Sequence, residues 1–237
     1  LTSCVVMSLA GVGRVGHPVV RRGVEFLIAS AREDGSWPID TNLATWVTTL
    51  SINALAGAGH DVGQLGCLDW LLSCQHQQVH HFTSAAPGGW GWTDLSGAVP
   101  DADDTSGALL ALAALRKAGS VEEVAKINAA AVRGVGWLLE LQNRDGGWPT
   151  FCRGWGALPF DRSGVDLTAH AIRALHTWRA LSAPRIAPAI ERGFRHLWHR
   201  QRADGSWVPL WFGDQYDPAE ENPVYGTARV LLAYRDL

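Results

Sequence analysis

Four copies of a tryptophan-anchored turn punctuate this chain, and a repeat at a fixed period constrains the fold more tightly than any local propensity. Phe26-Leu27-Ile28 leads to Asp34-Gly35-Ser36-Trp37, and Trp70-Leu71-Leu72 with Gln75 leads to Gly88-Gly89-Trp90. Trp137-Leu138-Leu139 with Gln142 leads to Asp145-Gly146-Gly147-Trp148, and His196-Leu197-Trp198 with Gln201 leads to Asp204-Gly205-Ser206-Trp207. The anchors Trp37, Trp90, Trp148 and Trp207 stand 53, 58 and 59 residues apart. In each copy an amphipathic helix ends near the Gln, glycine turns the chain through positive φ, and the indole folds back over the helix end. The Gln carboxamide is then placed to bond free backbone groups at a neighbouring helix terminus. These repeats read as staples, not as chemistry.

Between the staples lie further apolar segments at helical spacing. The pattern predicts eight helices in four antiparallel pairs: Pro18 to Ala31, Ala44 to Ala58, Leu65 to Gln75, Thr105 to Lys117, Asn128 to Gln142, Asp166 to Ala180, Ala187 to Gln201 and Tyr225 to Arg235. No segment alternates convincingly as a strand. Helix pairs repeated at this period stack into concentric inner and outer rings, so the expected architecture is an all-α, α/α toroid in one domain over residues 1–237.

Composition narrows the function classes. With 47% hydrophobic and 18% charged residues the chain can bury a sizeable core, and its longest apolar runs fall short of the roughly 20 residues that span a bilayer. A net charge of −3, with 20 Lys and Arg scattered along the sequence, gives no basic stripe and argues against nucleic acid as a partner. Cys4, Cys67, Cys74 and Cys152 form neither a CxxC pair nor a Cys/His cluster. They read as reduced thiols of a cytoplasmic protein, with no metal and no cofactor expected. The chain opens on Leu1 rather than Met, which reads as a piece of something longer.

The chemistry-bearing stretch is Val99-Pro100-Asp101-Ala102-Asp103-Asp104-Thr105, which opens the apolar run from Gly107 to Leu115. Acidic residues and Thr ahead of an apolar run are also an ordinary helix start, capping free N–H groups and complementing the macrodipole. Three carboxylates in four positions, however, cannot all ionise cheaply, so at least one is expected to keep its proton near neutral pH. A retained proton on an acid facing an apolar cavity is a Brønsted acid.

Taken together, the staples resemble the QW motifs of the squalene-hopene and oxidosqualene cyclases, and Asp101-Ala102-Asp103-Asp104 resembles the DxDD acid motif of class II terpene cyclases. Further matches run in order: Trp46-Val47-Thr48 after the first staple, Asp166-Leu167-Thr168-Ala169-His170 after the third, Tyr225-Gly226-Thr227 after the fourth. The resemblance implies that Asp103 protonates a terminal alkene, with Asp101 and Asp104 flanking it as hydrogen-bonding partners. It further implies that His170 sits against the aspartates and sharpens their acidity, and that Tyr225 helps re-protonate the site through water. Asp166 lies one helical turn before His170, which suits orienting the imidazole. Trp46, Trp92, Phe151 and Trp211 fall where the family lines its cavity. The residue types suit the chemistry: protonating an unactivated alkene demands a strong acid in a dry site, and aromatic faces stabilise carbocations without capturing them.

The DxDD form, in place of the Asp-Cys-Thr-Ala of oxidosqualene cyclases, favours an alkene over an epoxide, and squalene is the first expected substrate. Diterpene-type relatives act on diphosphates and need a basic or Mg²⁺-binding pocket, for which no candidate stands out. An (α/α)6 toroid needs more helix pairs than the four counted, and the family's full-length enzymes carry a second α-helical barrel. The chain is therefore read as the central part of a catalytic barrel, with an incomplete ring. By resemblance it is a peripheral, monotopic protein at the inner face of the cell membrane, a homodimer, with Leu158-Pro159-Phe160 and Val208-Pro209-Leu210-Trp211-Phe212 as apolar lips. The competing reading is a noncatalytic helical-repeat module that binds a prenyl chain or a partner protein. Related protein prenyltransferases need a zinc site, against which the cysteine count argues.

Overall fold

In the computed structural model the described residues are 2–37, 43–95, 97–155 and 158–237. Nine α-helices account for most of them: α1 (Thr2–Gly11), α2 (Pro18–Ala29), α3 (Ala44–Gly57), α4 (Leu68–Ser73), α5 (Ala102–Leu115), α6 (Val121–Leu141), α7 (Val165–Thr177), α8 (Ala183–Arg200) and α9 (Pro223–Asp236). Packing sorts them into two layers, and burial follows for the central pair. α5 buries ten of its fourteen residues and α7 ten of thirteen, whereas α8 buries five of eighteen. A helix apolar nearly all round belongs inside, and one with a single apolar stripe belongs outside. The odd-numbered helices α1, α3, α5, α7 and α9 pack each on the next as an inner ring, and α2, α4, α6 and α8 lie against them as an outer one. This is the all-α, α/α-toroid arrangement expected from the repeat.

Each staple ties the two layers together in the same way. The indole Nε1 of Trp90 donates to the Leu71 carbonyl (2.9 Å), that of Trp148 to Leu138 (2.8 Å), that of Trp207 to Leu197 (2.7 Å), and that of Trp37 to Leu27. The backbone N–H of the same four tryptophans donates to a threonine hydroxyl of the next inner helix: Thr48, Thr105, Thr168 and Thr227, at 2.8–3.0 Å. One residue thus joins the end of an outer helix to the start of the following inner one. The glycine two residues before each indole sits at positive φ, from +79° at Gly35 to +118° at Gly88, where a side chain would be strained. The glutamines link outer helix to outer helix. Gln75 donates to the carbonyls of Gly88 and Ala130 and accepts from Arg133, and Gln142 donates to Gly146 and Ala189 and accepts from Arg192. Ala130 lies within α6, so the carboxamide reaches the middle of the next helix rather than its terminus.

Several expectations are corrected. α1 was absent from the sequence reading; it is short and carries no amphipathic stripe, yet its Val6 is buried and its Ser3 hydroxyl lies 3.3 Å from Ser51 on α3. α6 begins at Val121 rather than Asn128, because Ser120 and Glu123 form a reciprocal capping box. α8 begins at Ala183 rather than Ala187, and α4 is only six residues long. Strands are present: β1 (Trp148–Pro149) pairs antiparallel with β2 (Ser163–Gly164), Trp148 opposite Gly164. Two-residue strands carry no alternation to read. With α1 included, five inner helices are present among the described residues. The end of α9 comes round to α1, where a side chain on Gly11 would stand 2.7 Å from the Arg235 guanidinium. No helix among the described residues is long and apolar enough to cross a membrane.

The staples set the stability of the ring. Trp148 is fully buried and Trp198, on α8, is 69% exposed. Trp148→Ala is expected to destabilise the fold by about 3–5 kcal/mol, while Trp198→Ala stays within about 0.5 kcal/mol, measured as the shift in urea-unfolding midpoint.

Candidate active site

The inner helices α3, α5, α7 and α9 present their first turns to one another, and nearly all the expected site residues lie in or beside those turns. Asp101 is the N-cap of α5: its side chain accepts the Asp104 backbone N–H at 2.7 Å. Its backbone is clamped from both sides, bridging Trp90 of the second staple and Phe151 just beyond the third, and Ala102 N–H donates to the Thr150 carbonyl at 2.9 Å. The position of the acid loop is thereby fixed by two staples at once.

Asp103, in the first turn of α5, collects donors from three other helices. Trp46 Nε1 of α3 donates to Oδ2 at 3.1 Å, while His170 Nδ1 of α7 and Arg229 Nη2 of α9 both reach Oδ1, at 2.6 and 3.1 Å. Burial alone would raise the Asp103 carboxyl, but the charges and hydrogen bonds of His170, Arg229 and Trp46 outweigh it and hold the group well below the usual carboxylate range. The two neighbouring aspartates go the other way. Asp101 and Asp104 are almost wholly buried, and one oxygen of each, Asp101 Oδ2 and Asp104 Oδ1, has no protein partner among the described residues. Desolvation pushes Asp101 up to about 8, and desolvation with the like charges beside it pushes Asp104 well above its ordinary value. Burial and mutual charge thus shift the crowded pair Asp101 and Asp104 toward their protonated forms. Among the described residues the hydrogen-bond donors on the Asp103 carboxyl come from other helices, while Asp101 meets Asp103 through the Asp103 backbone N–H.

The remaining residues divide. His170 is 6% exposed and bonded to Asp103, and burial together with the nearby Arg229 charge lowers it to about 4. Asp166 is buried beside them and pushed up to about 6 by desolvation. No Asp166–His170 hydrogen bond exists among the described residues, since the imidazole Nδ1 points to Asp103. The Tyr225 ring faces the Arg229 guanidinium at 5.9 Å and Phe212 at 5.2 Å, and burial raises its phenol. Among the described residues no hydrogen bond joins that phenol to an aspartate, so the expected relay has no direct link. Trp46 serves the acid through its N–H as well as lining the site.

The other aromatics form one continuous wall. Trp92 meets Phe151 edge-on at 5.8 Å, Phe151 meets Phe160 at 5.1 Å, and Phe160 meets Trp211 at 4.9 Å, with Trp155 packed against both Phe151 and Phe160. The Trp46 amide donates to the Trp92 carbonyl, which joins this wall to the acid cluster. Sequence reading placed Phe160 at a membrane lip and passed over Trp155. It also missed Arg229, although the residue lies one turn after Tyr225 and directly precedes the apolar run Val230 to Ala233 of an inner helix. A lone guanidinium at the head of such a run is the signal that marks it.

Residues 42–237 match the model of the squalene-hopene cyclase C-terminal domain. The chain belongs to that family of class II terpene cyclases. It is 29% identical to a probable squalene–hopene cyclase of Sinorhizobium fredii, over 97% of this chain and 37% of that protein. It is 27% identical to the sporulenol synthase of Bacillus subtilis, over 85% of this chain and 33% of that protein. The chain thus spans little more than a third of these curated relatives. A solved type II terpene cyclase from Scytonema, bound to geranylgeranyl dihydroxybenzoate, superposes on 99% of this chain and 72% of its own length at a TM-score of 0.62 and 16% identity, which supports the toroid.

The raised carboxyls of Asp101, Asp104 and Asp166 give the fold a pH signature. A group raised on folding favours the protonated native state, so its contribution to stability is present below the unfolded value near 4 and is lost as pH rises through the folded one. Asparagine can cap α5 as aspartate does but does not ionise. Asp101→Asn is therefore expected to melt higher than the wild type at about pH 8, by an amount worth at least about 1 kcal/mol, with the gap narrowing toward pH 4 in a series of thermal melts.

Proposed function

We propose that this chain carries the proton-donating core of a class II cyclase that converts squalene to a hopene-type triterpene. The carrying observation is the Asp103 carboxyl with three donors on it at the edge of an aromatic wall. The donors that keep Asp103 ionised also make it a strong acid whenever it holds a proton, because they stabilise the carboxylate left behind. Asp101 and Asp104, shifted toward their protonated forms beside it, bring little further negative charge to the acid, which is recharged from solvent after each turnover. The O–H bond of Asp103 breaks as a C–H bond forms at the terminal alkene carbon, and the positive charge moves into the substrate. Trp92, Phe151, Phe160 and Trp211 then offer ring faces to the migrating cation and no nucleophile to capture it.

Squalene is insoluble in water, and the reading includes extraction from a membrane surface on the cytoplasmic side. Leu158, Trp211 and Phe212 are exposed apolar side chains beside the aromatic wall and suit such a contact. The decisive experiment is gas chromatography with mass spectrometry of products from detergent-dispersed squalene. The protein is expected to yield a cyclised product of unchanged mass. Asp103→Asn should lower turnover at least about 10²-fold while leaving the circular dichroism spectrum intact. Cyclisation of a shorter polyprene but not of squalene would keep the acid and reassign the substrate. Tight binding of polyprenes without conversion, unaffected by Asp103→Asn, would establish the noncatalytic module instead.

A further inference from the structure

One oxygen of Asp103 takes two potential cations. His170 Nδ1 and Arg229 Nη2 both reach Oδ1, and both side chains are largely buried, 6% and 16% exposed. Two full positive charges on one carboxylate oxygen repel each other strongly in a low-dielectric site. A guanidinium cannot give up its proton at any working pH, whereas an imidazole can. His170 is therefore the group that yields. It bonds as the neutral Nδ1–H tautomer, in line with the direction in which burial and Arg229 push it.

The surroundings reinforce the assignment. On α9 the Arg229 guanidinium faces the Tyr225 ring, and on α7 it feels Asp166, itself raised by burial. On α5 the companions of Asp103 are Asp101 and Asp104, both shifted toward their neutral forms. α1 brings only the Cys4 thiol toward this cluster, and α3 contributes Trp46 with no titratable side chain. The further cation near His170 is Arg173, paired with Asp236 at 2.6 Å. Asp103 and Arg229 are thus the facing pair that carries full opposite charges.

We propose that Arg229 is a positioning residue for the acid, giving Asp103 a permanent counter-charge so that proton donation proceeds with His170 uncharged. The proposal rests on the cyclase reading for its kinetic consequence, but its electrostatic core does not. When the Asp103 O–H proton passes to the alkene, the carboxylate left behind faces a cation already in place, and no imidazolium is required.

Histidine-resolved NMR titration and turnover between about pH 5 and pH 8 test this in the wild type, Arg229→Gln and Arg229→Lys. In the wild type His170 should remain neutral throughout that range, and turnover should not follow its titration. In Arg229→Gln the His170 midpoint should rise by at least about one pH unit, and turnover should fall roughly tenfold from the acidic to the alkaline end as the imidazolium is lost. Arg229→Lys, which keeps the charge, should restore the wild-type titration. A wild-type His170 that titrates near or above its ordinary 6.5, or one with the same midpoint in Arg229→Gln, overturns the proposal. So does an Arg229→Gln turnover that is lower by the same factor at every pH. If Arg229→Gln does not fold, the wild-type and Lys titrations still decide. Absence of turnover in the wild type would count against the cyclase reading alone, because the titration needs no substrate.

Discussion

The doubly bonded tryptophan is the interaction on which the rest depends. With its indole N–H on the outer-helix carbonyl and its backbone N–H on the next threonine hydroxyl, it fixes the distance and phase between an outer helix and the following inner one. Because the bond recurs at four staples, the inner helices start at the same level of the ring, and their first turns converge. That convergence makes a site from residues as far apart in sequence as Trp46, Asp103, His170 and Arg229. The acid loop depends on it twice over, since the Asp101 backbone bridges Trp90 and Phe151, residues of two successive staple regions. A carboxylate cluster this crowded would relax outward if its backbone were free; clamped on both sides, it must instead shift its protonation.

Much of this was legible in the sequence because the repeat is long and its turn residues are chemically demanding. Asp-Gly and Gly-Gly ahead of Trp admit few other conformations, and α3, α5 and α7 were placed within a few residues. The structure places Asp103 in contact with His170 and Trp46. The failures have identifiable causes. α1 is an inner helix without a polar face, so no periodicity marks it. The early start of α6 was written as Ser120 and Glu123, a capping box passed over in favour of the apolar pattern further on. At the site, spacing along a helix put Asp166 beside His170, but the imidazole turns across the ring to Asp103, a direction that depends on tertiary placement. Arg229 went unnoticed because charged residues near a chain's last helix usually lie on a solvated face.

On the proposed cyclase reading, the distribution of charge around the acid answers a problem inherent in making carbocations. A cation near the migrating positive charge would raise the barrier, yet the carboxylate left by proton transfer needs a counter-charge if it is not to recapture the proton at once. The fold meets both demands by segregation. Arg229 and His170 approach Asp103 from α9 and α7, while the wall running from Trp92 through Phe151 and Phe160 to Trp211 offers only ring faces and edges. The pairing of Arg229 with Asp103 balances the guanidinium charge, and Asp101 and Asp104, both shifted toward their neutral forms, bring little further negative charge to trap a cation close to the acid. The indole of Trp46 completes the separation: its N–H stabilises the carboxylate by a hydrogen bond without bringing a formal charge to the site.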